Sequence, residues 1–236
     1  MPRNRKYIGL ETRVPYEILE SAFCDFLTEG YFDKGRWQSQ IKQFTKGANR
    51  SEKVLKHVSV LFNKNEVLLA IVSKHLTAES FSRLPPQERR ALILCFFALS
   101  YPISYDILVA FAQSFKVQEL VSKDAVMQKI GSTYGSNRAV HIAVTEIMPL
   151  LIDCKTVRRV KVGIYSKEPP IFITTNLLSE LIAYTDIKLS GSKSILINDI
   201  QYRPWFSYFD ISLNLKVSLK LLKRSDGIIG KGYLSI

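Results

Sequence analysis

Residues 91–112 read ALILCFFALSYPISYDILVAFA, 22 positions with Asp106 as the single charge, and no other stretch restricts the fold so tightly. So apolar a run belongs in a bilayer or in a protein interior. Pro102 decides between them. Its ring removes a helical hydrogen bond and clashes with the preceding turn, which leaves two pieces, each shorter than the roughly 20 residues a membrane span needs. Ser100, Ser104 and Asp106 gather at the break, where a turn and a helix cap call for small polar side chains. The run therefore predicts a buried helical hairpin with no membrane partner, its second helix running from Ser104 to about Phe115.

Helical spacing fills the chain before the hairpin. Ile18, Leu19, Ala22, Phe23, Phe26 and Leu27 recur at intervals of three and four, and Gly30 stops them. Trp37, Ile41 and Phe44 mark a second helix before Gly47. A third spans Ser51 to Phe62 with Ser51 capping and Val54, Leu55, Val58 and Leu61 inward, and a fourth spans Glu66 to His75. Leu84-Pro85-Pro86-Gln87-Glu88 opens the hairpin: proline in a first turn forfeits no donor, and Glu88 suits a helix N-terminus.

From residue 117 the pattern changes. Short helices at Val117–Ser122 and Asp124–Ile130 lead into a turn of small residues, Gly131 to Ser136, and then a helix from Asn137 to about Ile152. Val157, Val160, Val162 and Ile164 next alternate among Arg158, Arg159 and Lys161, with a turn at Ser166–Pro170 and a returning Ile171-Phe172-Ile173. Helix, turn, helix and basic hairpin make a winged helix-turn-helix. Beyond it come a helix from Thr175 to Tyr184, a strand over Ser194–Ile200 and an aromatic junction at Arg203–Phe206. Strict alternation predicts a strand over Ile211–Leu221, and Gly227 and Gly230 allow a turn into a closing strand at Tyr233–Ile236. The expected class is mainly α: a helical bundle, a winged helix-turn-helix, then a smaller β-containing segment. The expected division is a basic arm (1–14), a helical domain (15–116), the winged unit (117–175) and a C-terminal segment (176–236).

Thirty-three Lys and Arg against 21 Asp and Glu give a net charge of +12, which favours a polyanionic partner, and a hydrophobic share of 47% argues against disorder. The charge has places to act. Ser136, Asn137, Arg138 and His141 stand at the first turn of the second helix of the motif, where base edges are met, and Arg and Asn pair bidentately with guanine and adenine. Lys155, Arg158, Arg159 and Lys161, with Lys167 at the expected tip, equip the hairpin for phosphates or a minor groove. Arg3, Arg5 and Lys6 form an arm able to reach a groove. Lys216, Lys220, Lys223 and Arg224 offer a second basic surface or a lysine-protected edge strand.

Cys24, Cys95 and Cys154, odd in number and mostly in apolar runs, read as reduced thiols of a cytoplasmic protein. His57, His75 and His141 lie on separate predicted helices without metal-ligand spacing, so no metal and no cofactor is expected. Gly131-x-x-x-Gly135 lacks the lysine of a phosphate loop, and Glu180 with Asp186 and Lys188 is the nearest approach to a nuclease cluster. The reading is a non-catalytic binder of double-stranded DNA. RNA, or an acidic protein met by a basic scaffold, stays open.

The segment Leu84–Tyr165, through Arg89-Arg90-Ala91-Leu92, Tyr101-x-x-x-Tyr105-Asp106-Ile107-Leu108 and the Ser136–Asp153 helix, resembles the small accessory A protein family of BREX phage-exclusion systems. The resemblance covers about a third of the chain. It implies a helical, DNA-binding accessory without catalysis, working with other proteins of a defence complex. The family's helical part is also similar to the antitermination-factor fold that binds RNA, which keeps the RNA alternative in place.

Overall fold

The structure is a computed structural model that describes residues 8–211, 213, 218–225 and 232–236. It is mainly helical, with short strands concentrated after residue 156. In chain order the first helices are α1 (Tyr16–Glu29), α2 (Lys34–Phe44), α3 (Ala48–Lys64), α4 (Glu66–Val72), α5 (Ala78–Arg83), α6 (Pro86–Ser100) and α7 (Pro102–Phe115). Helix α6 is the hub: every residue from Ala91 to Ala98 is buried, and α1, α3 and α7 pack around it. A helix apolar on all sides needs neighbours on all sides.

The apolar run is a sharply bent pair, with α6 and α7 at 116°. No single helix among the described residues is long and apolar enough to cross a membrane. Pro102 itself occupies the first turn of α7, two residues before the expected Ser104, because that position needs no donor. The polar groups at the bend close on one another. Ser104 Oγ donates to Tyr101 O at 2.7 Å, and Asn65 Nδ2 donates to Ser100 Oγ at 2.8 Å. His57 Nδ1 shares a hydrogen bond of 2.7 Å with the Tyr101 hydroxyl.

The front half departs from its pattern in further places, the fourth helix ending at Val72 and not at His75. Ser51 does not cap α3; it lies inside that helix, buried, with its hydroxyl 2.6 Å from that of Thr45. Helix α5 falls in the Ser/Thr-rich stretch 76–83 between the fourth expected helix and the hairpin, where Thr77 and Ser80 cap it reciprocally. Glu88, expected to serve its own helix, is fully buried and accepts from Thr174 N at 3.0 Å and from the Thr174 and Thr175 hydroxyls at 2.6 Å each.

The middle of the chain holds β1 (Val121–Ser122), α8 (Lys123–Tyr134), α9 (Arg138–Asp153), β2 (Val157–Lys161) and β3 (Ile164–Lys167). The expected helix at 117–122 is absent: Val121 is buried opposite Tyr165, and Ser122 caps α8 by accepting from Ala125 N at 3.1 Å. The three strands form an antiparallel sheet in the order β1–β3–β2. Helices α7, α8 and α9 pack on one another beside it.

The remainder comprises β4 (Ile171–Ile173), α10 (Asn176–Ser190), β5 (Ser194–Leu196), β6 (Phe209–Ile211), β7 (Lys223–Ser225) and β8 (Tyr233–Ser235), with 3-10 turns at Ile197–Tyr202 and Pro204–Tyr208. Strand β4 does not return along the hairpin. It pairs in parallel with β6, and β5, β8 and β7 form a separate antiparallel sheet. Helix α10 packs along α6 and ends six residues beyond its sequence signal at Tyr184. Its buried Glu180 accepts from the backbone N–H of Lys220 (2.7 Å) and Leu221 (2.9 Å), so residues 218–222 curl onto a carboxylate and are not the expected strand. Lys216, Gly227 and Gly230 lie outside the described residues.

Candidate nucleic-acid interface

The junction between α8 and α9 is built on a missing side chain. Helix α8 runs through Gly131-Ser132-Thr133 to Tyr134, four residues past the predicted end at Ile130, so the turn is only Gly135-Ser136. Gly131 permits this. A Cβ there would stand 2.6 Å from Ser136 Oγ, so the glycine lets the chain double back against α8. Gly135, at φ 87°, ends the helix in a conformation that glycine adopts freely. Tyr134 then ties α8 to α7 by donating its hydroxyl to Asp106 Oδ2 at 2.7 Å.

Asn137 starts α9. Its Oδ1 accepts from Val140 N at 3.1 Å, so half of its amide is committed to capping. Val140, Ala143, Val144, Ile147, Met148 and Leu151 face the core. Ser136, Asn137, Arg138 and His141 are all exposed, as the sequence indicates. The same outward stripe continues to Thr145, whose hydroxyl lies 3.4 Å from Lys123 Nζ. Lys123 and Thr145 were missed from sequence. The available signal is weak: Lys123 follows a capping serine, and Thr145 sits seven residues after Arg138.

At the other end of α9, Lys155 takes a left-handed conformation (φ 57°) and turns the chain into β2. Thr156 stabilises the reversal: its N–H and hydroxyl reach Leu151 O at 3.1 and 2.8 Å. Strand β2 is the sheet edge, and only Val157 of its five residues is buried. Arg158 is braced by its Nε donating to Ser166 Oγ at 2.7 Å. A register shift between Arg159 and Lys161 bends the strand just before the turn. Among the described residues, Lys155, Arg159 and Lys161 have no carboxylate within ion-pair distance. The turn is Val162-Gly163, with Gly163 at φ 74°, not Ser166–Pro170. Val160 and Val162 are 52% and 82% exposed, so the tip is apolar between cations.

This hairpin corrects the placement of Lys167. Lys167 lies opposite Val157 at the base, roughly 13 Å of strand from the turn. Its Nζ sits 5.9 Å above the Tyr208 ring, and burial lowers its pKa. The fold therefore gathers Ser136, Asn137, Arg138 and His141 on one helix start and Lys155, Arg158, Arg159 and Lys161 on one hairpin, and turns Lys167 inward. Arg3, Arg5 and Lys6 lie outside the described residues.

The carboxylates weighed for a nuclease cluster have structural partners. Asp186 accepts from Tyr105 OH at 2.7 Å and from Arg203 Nε, and Glu180 also accepts from Asn176 Nδ2 at 3.1 Å. No group of three or more His, Cys, Asp or Glu able to hold a metal occurs among the described residues. No protein-family model matches the chain, and comparisons with curated proteins and with solved structures find no match.

Proposed function

We propose that residues 102–167 form a winged helix-turn-helix and that the chain is a non-catalytic DNA-binding accessory protein. The observation that carries this is the order α7–β1–α8–α9–β2–β3 together with the β1–β3–β2 sheet, which presents α9 and an edge hairpin as neighbouring projections. In this reading the start of α9 enters the major groove and the hairpin follows the backbone or an adjacent minor groove. Arg138, His141 and Lys123 meet bases or phosphates; Lys155, Arg158, Arg159 and Lys161 meet phosphates. The Asn137 carbonyl already caps α9, so a bidentate adenine contact would cost the cap. Affinity then comes more from phosphate than from base.

Fluorescence anisotropy on a random-sequence duplex at 50 and 200 mM salt tests the reading. Four phosphate contacts predict a loss of about 10²-fold across that range, and R158A/R159A/K161A lowers the salt slope by about 2.7. Absence of binding at 50 mM salt overturns it. Stronger competition by single-stranded RNA than by duplex transfers the site to RNA. The further proposal of a phage-defence complex rests on the resemblance over residues 84–165. Co-purification of neighbouring gene products with the tagged chain tests it, and recovery of the chain alone counts against it.

A further inference from the structure

Between Lys34 and Ser51 the chain carries five cations and no acid. Arg36 is engaged by Asp25 and Glu29, at 3.3 and 3.7 Å. Lys34, Lys42, Lys46 and Arg50 have no carboxylate partner among the described residues, whereas Lys53 and Lys56 further along α3 share Glu11. Two acids flank the stretch: Asp33, which caps α2 by accepting from Arg36 N at 3.0 Å, and the exposed Glu52. Amid these cations stands Phe44, 69% exposed. It continues the inward spacing of Trp37 and Ile41, yet it falls on the last residue of α2 and stays in water.

The elbow that presents it is braced. The Thr45 hydroxyl donates to Ile41 O at 2.8 Å and lies 2.6 Å from Ser51 Oγ, both side chains being buried. Gly47, at φ 95°, turns the chain into α3. Phe44 thus stands exposed on a braced turn, with Lys42, Lys46 and Arg50 all within six residues of it in sequence. Nucleic-acid phosphates answer the charge, and an unpaired base answers the ring, since every base has a face that stacks on an aromatic side chain.

We propose that the α2–α3 elbow is a second nucleic-acid contact, taking an unpaired stretch of strand with its phosphates on Lys42, Lys46 and Arg50 and a base stacked on Phe44. The proposal rests on the nucleic-acid reading above but not on the hairpin. Its test is anisotropy at 100 mM salt with a blunt duplex, the same duplex carrying a ten-nucleotide dT or rU tail, and the two tails alone. The expected result is tighter binding of a tailed duplex than of the blunt one by about tenfold, erased by Phe44→Ala and kept by Phe44→Trp. Thermal melting of each variant checks folding, and the exposed position predicts an unchanged midpoint. The dT and rU arms identify which strand chemistry is preferred. Loss of blunt-duplex binding alone, with Phe44-dependent binding of the tails retained, sinks the hairpin reading and supports the elbow. Equal affinity for blunt and tailed duplexes, or a tail gain insensitive to Phe44→Ala, overturns the elbow. So does Phe44-dependent binding to vesicles rich in phosphatidylserine without any tail preference.

Discussion

The buried surroundings of α10 and the hairpin of β2 with β3 treat charge in opposite ways. At the first, Glu88, Glu180 and Asp186 are buried to 1% exposure or less, and each accepts at least two hydrogen bonds. At the second, Lys155, Arg159 and Lys161 stand in water without an acidic partner among the described residues. A buried carboxylate persists only if its oxygens are satisfied, so the first set secures connections between distant segments. Unpaired surface cations contribute little to folding, so the second set is free to bind. Stability and binding should therefore separate by region.

The sharpest test removes one buried carboxylate. Glu88→Ala leaves Thr174 N–H and two threonine hydroxyls without their acceptor at the entrance to α10, which predicts a loss of about 3–5 kcal/mol in urea unfolding. The folded fraction should bind duplex as the wild type does. A loss below 1 kcal/mol would show that the carboxylate is dispensable and break the contrast.

A pH titration probes the same interior. Burial lowers the pKa of His57 to about 4, and the nearby Lys56 ammonium adds to the effect. The folded state prefers the neutral ring while the unfolded chain takes up a proton near pH 6.5. Stability from this residue is thus complete above pH 6.5 and declines as pH falls toward 4, by on the order of 2 kcal/mol. Unfolding free energies of wild type and His57→Gln between pH 4 and 7 should converge at the acid end. Parallel curves would sink the assignment. At the hairpin, by contrast, Arg159→Ala and Lys161→Ala should each shift stability by no more than about 0.5 kcal/mol in the same assay.

What sequence could reveal follows from how local the cause is. Trp37 and Ile41 announced α2 because helical spacing needs no partner to be seen, and Pro102 announced the bend by its own sterics. The run 155–161 announced a basic hairpin, since two-fold alternation and charge are both local. The turn of that hairpin was misplaced: Pro169-Pro170 is a louder signal than Val162-Gly163, and only pairing with β3 shows which one folds back. The alternation at 211–221 is not realised at 218–221, because Glu180, some 40 residues earlier, captures the backbone there. Phe44 helps mark α2 by its spacing, and only the place where that helix ends shows the ring to be exposed. Long-range partners override local pattern at these sites, and no window of sequence contains them.

An effect as small is expected at the turn between α8 and α9, unless its close approach is first relieved. Gly131 sits within α8, where alanine would be worth up to about 1 kcal/mol in helix propensity. Its added Cβ would meet Ser136 Oγ at 2.6 Å, although that hydroxyl is the movable end of a short side chain. The two terms oppose, so Gly131→Ala alone should change stability by less than about 0.5 kcal/mol. With Ser136→Gly in the background the obstacle is gone, and the propensity gain of Gly131→Ala should appear as about 0.5–1 kcal/mol. A double-mutant cycle in urea reads the difference. Additive effects would mean that the close approach does not hold the turn. Coupling of the predicted sign, with duplex affinity altered only in variants that move Ser136, would place the start of α9 under the control of one missing side chain.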